Sequence, residues 1–120
     1  MSCLFDSLTF FLNKLNHNIT SDQLRSIICD YLLTNYQLIE NIPSHDIIQW
    51  ETDMDILDYI SQMRKSSIWG GAIEIKAFCD IFIYEVNIHH NGVVINFIPN
   101  KTPLLTINLN YNGSHYTPSI

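Results

Sequence analysis

Apolar residues recur every three or four positions along the first half of this chain and tend toward alternation along the second. Leu4, Phe5, Leu8, Phe11, Leu12 and Leu15 fall close to i, i+3, i+4, i+7 spacing, which predicts a helix over residues 3 to about 16 with Cys3 in its first turn. Thr20 followed three residues later by Gln23 has the pattern of a capping box. A second helix is therefore predicted over about 21–35, burying Leu24, Ile27, Ile28, Tyr31 and Leu32. Pro43 breaks the connection. A shorter acidic helix is predicted over about 52–63, with Ile56, Leu57, Ile60 and Met63 inward and Asp53, Asp55 and Asp58 on a solvated face. Trp69-Gly70-Gly71 then punctuates the chain before a fourth helix over about 71–79, the glycines allowing backbone to pack closely beneath the indole.

From there the pattern changes to strands, predicted over 81–88, 93–98 and 104–111, with Asn91-Gly92 and Asn112-Gly113 as the two strongest hairpin signals. If Asn112 and Gly113 are the central residues of a type I′ turn, Asn110 faces His115, Leu109 faces Tyr116 and Asn108 faces Thr117. Alternation then puts Leu105, Ile107, Leu109, Tyr111 and Tyr116 on one face, and Asn108, Asn110, His115 and Thr117 on the other. The fold class expected from helices first and strands last is α/β in the broad sense (α+β), in a single domain over 1–120.

Composition narrows the chemistry. The chain has 120 residues, 47% hydrophobic, and six basic against twelve acidic residues give a formal charge of −6 and a pI near 5.1. Such a balance excludes a nucleic-acid backbone binder, which needs a basic stripe, and disfavours an anionic membrane surface. No stretch approaches the length of a membrane helix, and the N-terminus lacks the basic and apolar regions of a secretory signal. The three sequons at Asn18, Asn100 and Asn112 accordingly read as chance matches. An Ile and Asn bias fits an AT-rich coding genome, of the kind many large DNA viruses and protists have. A soluble monomer of the cytoplasm is expected.

Cys3, Cys29 and Cys79 are odd in number and form no CxxC pair, so neither a disulfide framework nor a zinc or redox motif is on offer. Cys29 and Cys79 read as small buried hydrophobes. Cys3 alone stands at a helix start, where the helix dipole and a nearby imidazolium favour thiolate. His115 reads either as an ordinary surface histidine or as a base whose tautomer is fixed by its polar neighbours. His89-His90 looks like a metal pair, but adjacent strand residues point to opposite faces, and a solvated hairpin end is expected there. No phosphate-binding loop is present. No metal site and no cofactor are expected.

Five blocks in order carry a resemblance over nearly the whole chain. They are Cys3-Leu4-Phe5-Asp6-Ser7-Leu8; Leu24-Arg25 with Tyr31-Leu32 and Asn35; Tyr59 with Met63; Trp69-Gly70-Gly71-Ala72-Ile73-Glu74-Ile75 with Ala77; and Ile107-Asn108-Leu109-Asn110-Tyr111 leading into Gly113-Ser114-His115-Tyr116. This series resembles the ovarian-tumour (OTU) family of cysteine proteases. The resemblance implies a papain-like fold with a mixed, mainly antiparallel sheet between helical layers. It also implies hydrolysis after the C-terminal Gly-Gly of ubiquitin or a ubiquitin-like modifier. Cys3 matches the nucleophile and His115 the general base. Many members place Asp or Asn two residues beyond that histidine, where this chain has Thr117; Asn110 is the alternative orienting residue and Asn108 a third. Trp69 and Tyr116 are expected to wall a channel that admits only Gly-Gly, Trp69 having the alternative role of packing under the fourth helix. Where the family has an Asp-Gly loop before the nucleophile, this chain has Met1 and Ser2, and the expected domain begins just inside that loop. The alternative to an active deubiquitinase is a catalytically impaired module that still binds ubiquitin or another protein.

Overall fold

A computed structural model describes residues 2–120 of the chain; Met1 lies outside the described residues. The three- and four-residue spacing of the first half becomes α1 (Cys3–Lys14) and α2 (Ser21–Leu33), with Leu4, Phe5, Leu8 and Leu12 on one and Leu24, Ile28, Cys29 and Leu32 on the other wholly buried. Removing each such leucine or phenylalanine from water is worth about 1.5–3 kcal/mol, which is what seats these helices. The Thr20–Gln23 capping box forms as the sequence predicts: Thr20 Oγ1 accepts the Gln23 N–H and the Gln23 side chain accepts the Thr20 N–H. The buried stripe of α2 runs Leu24, Arg25, Ile28, Cys29, Leu32, so Arg25 takes an inward place expected of Ile27.

The middle of the chain departs most from expectation. A two-stranded hairpin, β1 (Gln37–Ile39) and β2 (Ile42–Pro43), turns at Asn41 with φ of 65°, and Pro43 then starts α3 (Ser44–Thr52) instead of merely ending what precedes it. Its fixed φ suits a helix entrance. Helix α3 occupies a stretch expected to be only a connection, and the helix predicted over about 52–63 starts later, because Asp53 is left-handed at φ 57° and closes α3, while Asp55 caps α4 (Ile56–Met63) by accepting the Asp58 N–H. Re-phasing the helix turns Leu57 outward and brings Tyr59 in with Ile60 and Met63.

Helix α5 (Ala72–Phe82) runs three residues past its predicted end, so Ile81 and Phe82 are helical and Ile83, at φ 60°, makes the reversal. A β-branched residue strains in that region. The main sheet has β3 (Tyr84–His90), β4 (Val93–Phe97), β5 (Leu105–Tyr111) and β6 (Tyr116–Pro118) in the order β4-β3-β5-β6. β3 and β4 are antiparallel through the predicted Asn91-Gly92 turn, β3 and β5 are parallel, and β5 and β6 are antiparallel, which makes the sheet mixed and mainly antiparallel. The α+β class holds. Val86, Ile88, Ile107 and Leu109 bury one sheet face into the core shared with the helices; α1 lies against β6, α5 against β3 and β4, and α2 packs among α1, α3, α4 and α5.

Candidate active site

Cys3 is the first residue of α1 and is partly accessible. No side chain caps this helix: the Ser2 hydroxyl turns instead to the Asp6 carboxylate, and the first backbone donor with an intrahelical acceptor is the Asp6 N–H, bonded to the Ser2 carbonyl at 2.7 Å. The N–H groups of the first turn therefore point from the positive end of the helix dipole at the neighbourhood of the thiol. Asp6 is engaged elsewhere, accepting the hydroxyl of Ser21 at the start of α2, in keeping with a place on the polar face of α1.

Helix α1 lies on β6, which begins immediately after His115, and the Cys3 thiol is near enough to Tyr116 to act electrostatically on its phenol. Burial above all, and then Tyr111 and Cys3, pushes the Tyr116 hydroxyl up to about 12. His115 itself is exposed, and its backbone N–H is held at 2.8 Å by the Asn112 side chain, which also accepts the Ser114 N–H. The reversal takes four residues, 112–115, with the Asn112 N–H bonded to the His115 carbonyl. Pairing accordingly shifts by two from the expected register: Tyr111 opposes Tyr116, Asn110 opposes Thr117 and Leu109 opposes Pro118. Asn110 is not across from His115 as expected.

A shift of two keeps each residue on its face. Tyr111 and Tyr116 stack, with ring centroids 4.4 Å apart, on the face that carries the buried Ile107 and Leu109, whereas Asn110 and Thr117 lie exposed on the polar side and His115 is exposed in the turn, outside the ladder. Asn108, the third orienting candidate, accepts through Oδ1 from Nε2 of His89 at 3.0 Å, while Asn110 has His89 and Thr117 as its lateral neighbours on β3 and β6. Among the described residues no hydrogen bond joins the His115 ring to Asn108, Asn110 or Thr117. His89 and His90 do point to opposite faces, yet they are half-buried and bonded to β5, His90 through the Tyr111 carbonyl at 2.8 Å; the solvated hairpin end expected there is corrected by the parallel β3–β5 pairing. That pairing is long-range and leaves no local pattern.

Trp69 is 54% exposed and does not pack under the helix that follows; Gly70 beside it meets the first turn of α1 so closely that an added Cβ would stand 2.9 Å from both Leu4 and Phe5. The surprise of this region is two buried charges. Arg25 sits over the Phe5 ring at 4.2 Å, and Glu74 accepts the Gly71 N–H at 2.7 Å and the Tyr59 hydroxyl. Burial raises the Glu74 carboxyl and the Tyr59 phenol above their usual ranges and lowers the Arg25 guanidinium. Glu74 could have been suspected from its place three residues after a helix-opening glycine; Arg25 left only the trace of a charge inside an apolar stripe.

Cys29 and Cys79 are buried as expected, and desolvation pushes their thiols up to about 11 and about 12. Iodoacetamide at neutral pH is therefore expected to label Cys3 alone in the folded protein and all three thiols after denaturation, counted by intact mass. Labelling of Cys29 or Cys79 in the native state would contradict this packing.

Three comparisons bear on this arrangement. Residues 2–120 match the family model described as OTU-like cysteine protease. The chain is 29% identical over 119 residues to the ubiquitin thioesterase OTU1 of Drosophila pseudoobscura pseudoobscura, covering 98% of this chain and 31% of that protein. It is 30% identical over 103 residues to the ubiquitin thioesterase otu2 of Schizosaccharomyces pombe, covering 82% and 33%. The chain thus spans about a third of the length of these curated relatives. Among solved structures, an ovarian tumor (OTU) domain in complex with ubiquitin superposes with a TM-score of 0.76 at 23% identity, over 98% of this chain and 62% of that one. An OTU deubiquitinase from Wolbachia pipientis gives 0.73 at 18%, over 98% and 80%. Among the described residues no helix is long and apolar enough to cross a membrane.

Proposed function

The chain belongs to the OTU-like cysteine protease family, and from that premise we propose that it is a deubiquitinase domain, hydrolysing the isopeptide bond after the C-terminal Gly-Gly of ubiquitin with Cys3 as nucleophile and His115 as general base. The observation that carries the reading is the packing of α1, whose uncapped first residue is Cys3, on the strand that begins one residue after His115, with the thiol near enough to act electrostatically on Tyr116 of that strand. The names of the curated relatives and the ubiquitin complex of a structural neighbour support the substrate class.

The steps follow from the groups. His115 takes the Cys3 proton; the thiolate attacks the terminal glycine carbonyl, and the new S–C bond places negative charge on the carbonyl oxygen, which the free N–H groups at the start of α1 stabilise. As the C–N bond breaks, His115 gives its proton to the departing lysine amine. Water, deprotonated by His115, then attacks the thioester; the S–C bond breaks, the glycine carboxylate leaves and the thiol is restored. In the reacting state the imidazole, unbonded in this structure, turns to Thr117 or Asn110 for orientation, and Trp69 and Tyr116 wall the tail's approach. The charge of −6 complements a basic partner surface and speeds encounter. Three unpaired thiols suit a reducing, intracellular setting.

The test is reaction with full-length ubiquitin carrying a C-terminal electrophile, followed by peptide mapping. A covalent adduct on Cys3 is expected; no adduct, or one on Cys29 or Cys79, would refute the assignment. The unbonded ring of His115 favours a second reading, a module that binds ubiquitin without cleaving it. That reading predicts binding by titration calorimetry with no adduct, and binding that survives Cys3→Ala.

A further inference from the structure

Arg25 and Glu74, two ionisable side chains buried in this core, hold one loop from its two sides. From α2, Arg25 Nη1 donates to the Met63 carbonyl at 2.7 Å, and Nη2 donates to the Ile68 carbonyl at 2.9 Å and reaches that of Ser66 at 3.5 Å. The same guanidinium covers the Phe5 ring, so it ties the loop to the first turn of α1 as well as to α2. On the far side Glu74 takes the Gly71 N–H, and Tyr59 on α4 fixes the carboxylate in turn. The chain is therefore pinned one residue before Trp69 and two residues after it, with Gly70 pressed on Leu4 and Phe5 in between. The indole at the centre of this grip takes no part in it and stays half in solvent.

A buried charge is retained at a cost unless its partners are all in place, and a planar fork that collects several carbonyls fixes geometry more than it adds stability. We propose that Arg25 and Glu74 are positioning residues for Trp69. They hold the backbone on both sides of it so that the indole stands as a rigid wall beside the Cys3 end of α1, and the rigidity of that wall is what limits an entering tail to glycine. The inference rests on the deubiquitinase reading for its substrate, but the clamp itself is a property of the fold.

The experiment separates the two. In a Trp50→Phe background Trp69 is the sole tryptophan, and its time-resolved fluorescence anisotropy reports wall motion with no need for catalysis. Arg25→Lys keeps the charge and loses the fork; it is expected to increase the amplitude of fast local motion at Trp69. Glu74→Gln serves as a second variant should Arg25→Lys fail to fold. Kinetics then use fluorogenic ubiquitin conjugates ending in Gly-Gly or Ala-Gly. One methyl group against a fixed wall should cost about tenfold or more in kcat/KM, and Arg25→Lys should erase most of that preference. In a Trp69→Ala background, where the wall is gone, Arg25→Lys should change the preference no further, whereas a general structural role would act regardless of Trp69. Unchanged anisotropy in Arg25→Lys and Glu74→Gln, or a loss of preference that persists undiminished without Trp69, overturns the proposal. If the parent hydrolyses neither conjugate, the deubiquitinase reading fails while the anisotropy still decides the clamp.

Discussion

Replacing His115 by alanine is expected to slow hydrolysis of a fluorogenic ubiquitin conjugate about 10²–10⁴-fold, the usual worth of a positioned general base, with the folded state and KM close to unchanged. The side chain is exposed, and the turn that carries it is held by the Asn112 carboxamide through backbone N–H groups that alanine keeps. Nothing in the core depends on the ring. The loss should therefore fall on kcat, measured under saturating conjugate, and not on the midpoint of thermal unfolding. Adduct formation with the ubiquitin electrophile gives the complementary reading. Without the base, nothing accepts the thiol proton as the sulfur attacks, so His115→Ala should form the adduct more slowly than the parent at neutral pH. Equal rates in the two proteins at neutral pH would remove His115 from the mechanism.

Gly70→Ala is the second substitution with a large expected effect, and it should act on stability as well as activity. The new methyl group would stand 2.9 Å from Leu4 Cδ2 and from Phe5 Cε2, both wholly buried, and 3.1 Å from Phe5 Cζ. Neither neighbour has room to withdraw: Leu4 is embedded in the shared core, and the Phe5 ring carries the Arg25 guanidinium on one face. Overpacking of this kind costs about 1–3 kcal/mol, seen as a lower Tm and urea midpoint. Because the displaced side chains belong to the turn that begins with Cys3, kcat/KM should fall by more than the unfolded fraction accounts for. Gly71→Ala is the control. An added Cβ there meets nothing within 4 Å, and little change is expected.

The contrast between these neighbouring glycines bears on what the amino-acid order reveals. A Gly-Gly pair after tryptophan signals close backbone approach, but which glycine is pressed, and against what, is a tertiary fact. Local signals were legible where the physics is local: the periodic stripe of α1, the Thr20–Gln23 box and the Asn91-Gly92 turn all form as the pattern implies. Cys3 could be singled out because a helix start can be seen in sequence, and His115 because strand alternation separates polar from apolar faces. The Asn112-Gly113 register was misplaced by two residues because the Asn112 side chain builds a four-residue turn in place of the two-residue one such a pair usually makes. Helix α3 and the late start of α4 are not legible because Asp53 ends α3 in a left-handed conformation that asparagine and glycine announce more clearly. Arg25 and Glu74 were hidden for a different reason: their partners are backbone groups 38 to 43 residues away for Arg25, and a tyrosine 15 residues away for Glu74.

Strand β4 ends the sheet with a lateral edge that pairs with no other strand among the described residues, and Val93, Val94 and Ile95 along it, with Ile98 just beyond its end, are all about half exposed. The run Val-Val-Ile-Asn-Phe-Ile carries no charge; Pro99 follows it directly and no lysine interrupts it. The net negative charge opposes edge-to-edge addition by long-range repulsion, which acidification removes near pH 5.1 and concentrated salt screens. Colloidal behaviour is thereby coupled to the sheet edge: light scattering is expected to rise near pH 5.1 and in concentrated salt, and Val94→Lys is expected to reduce that rise.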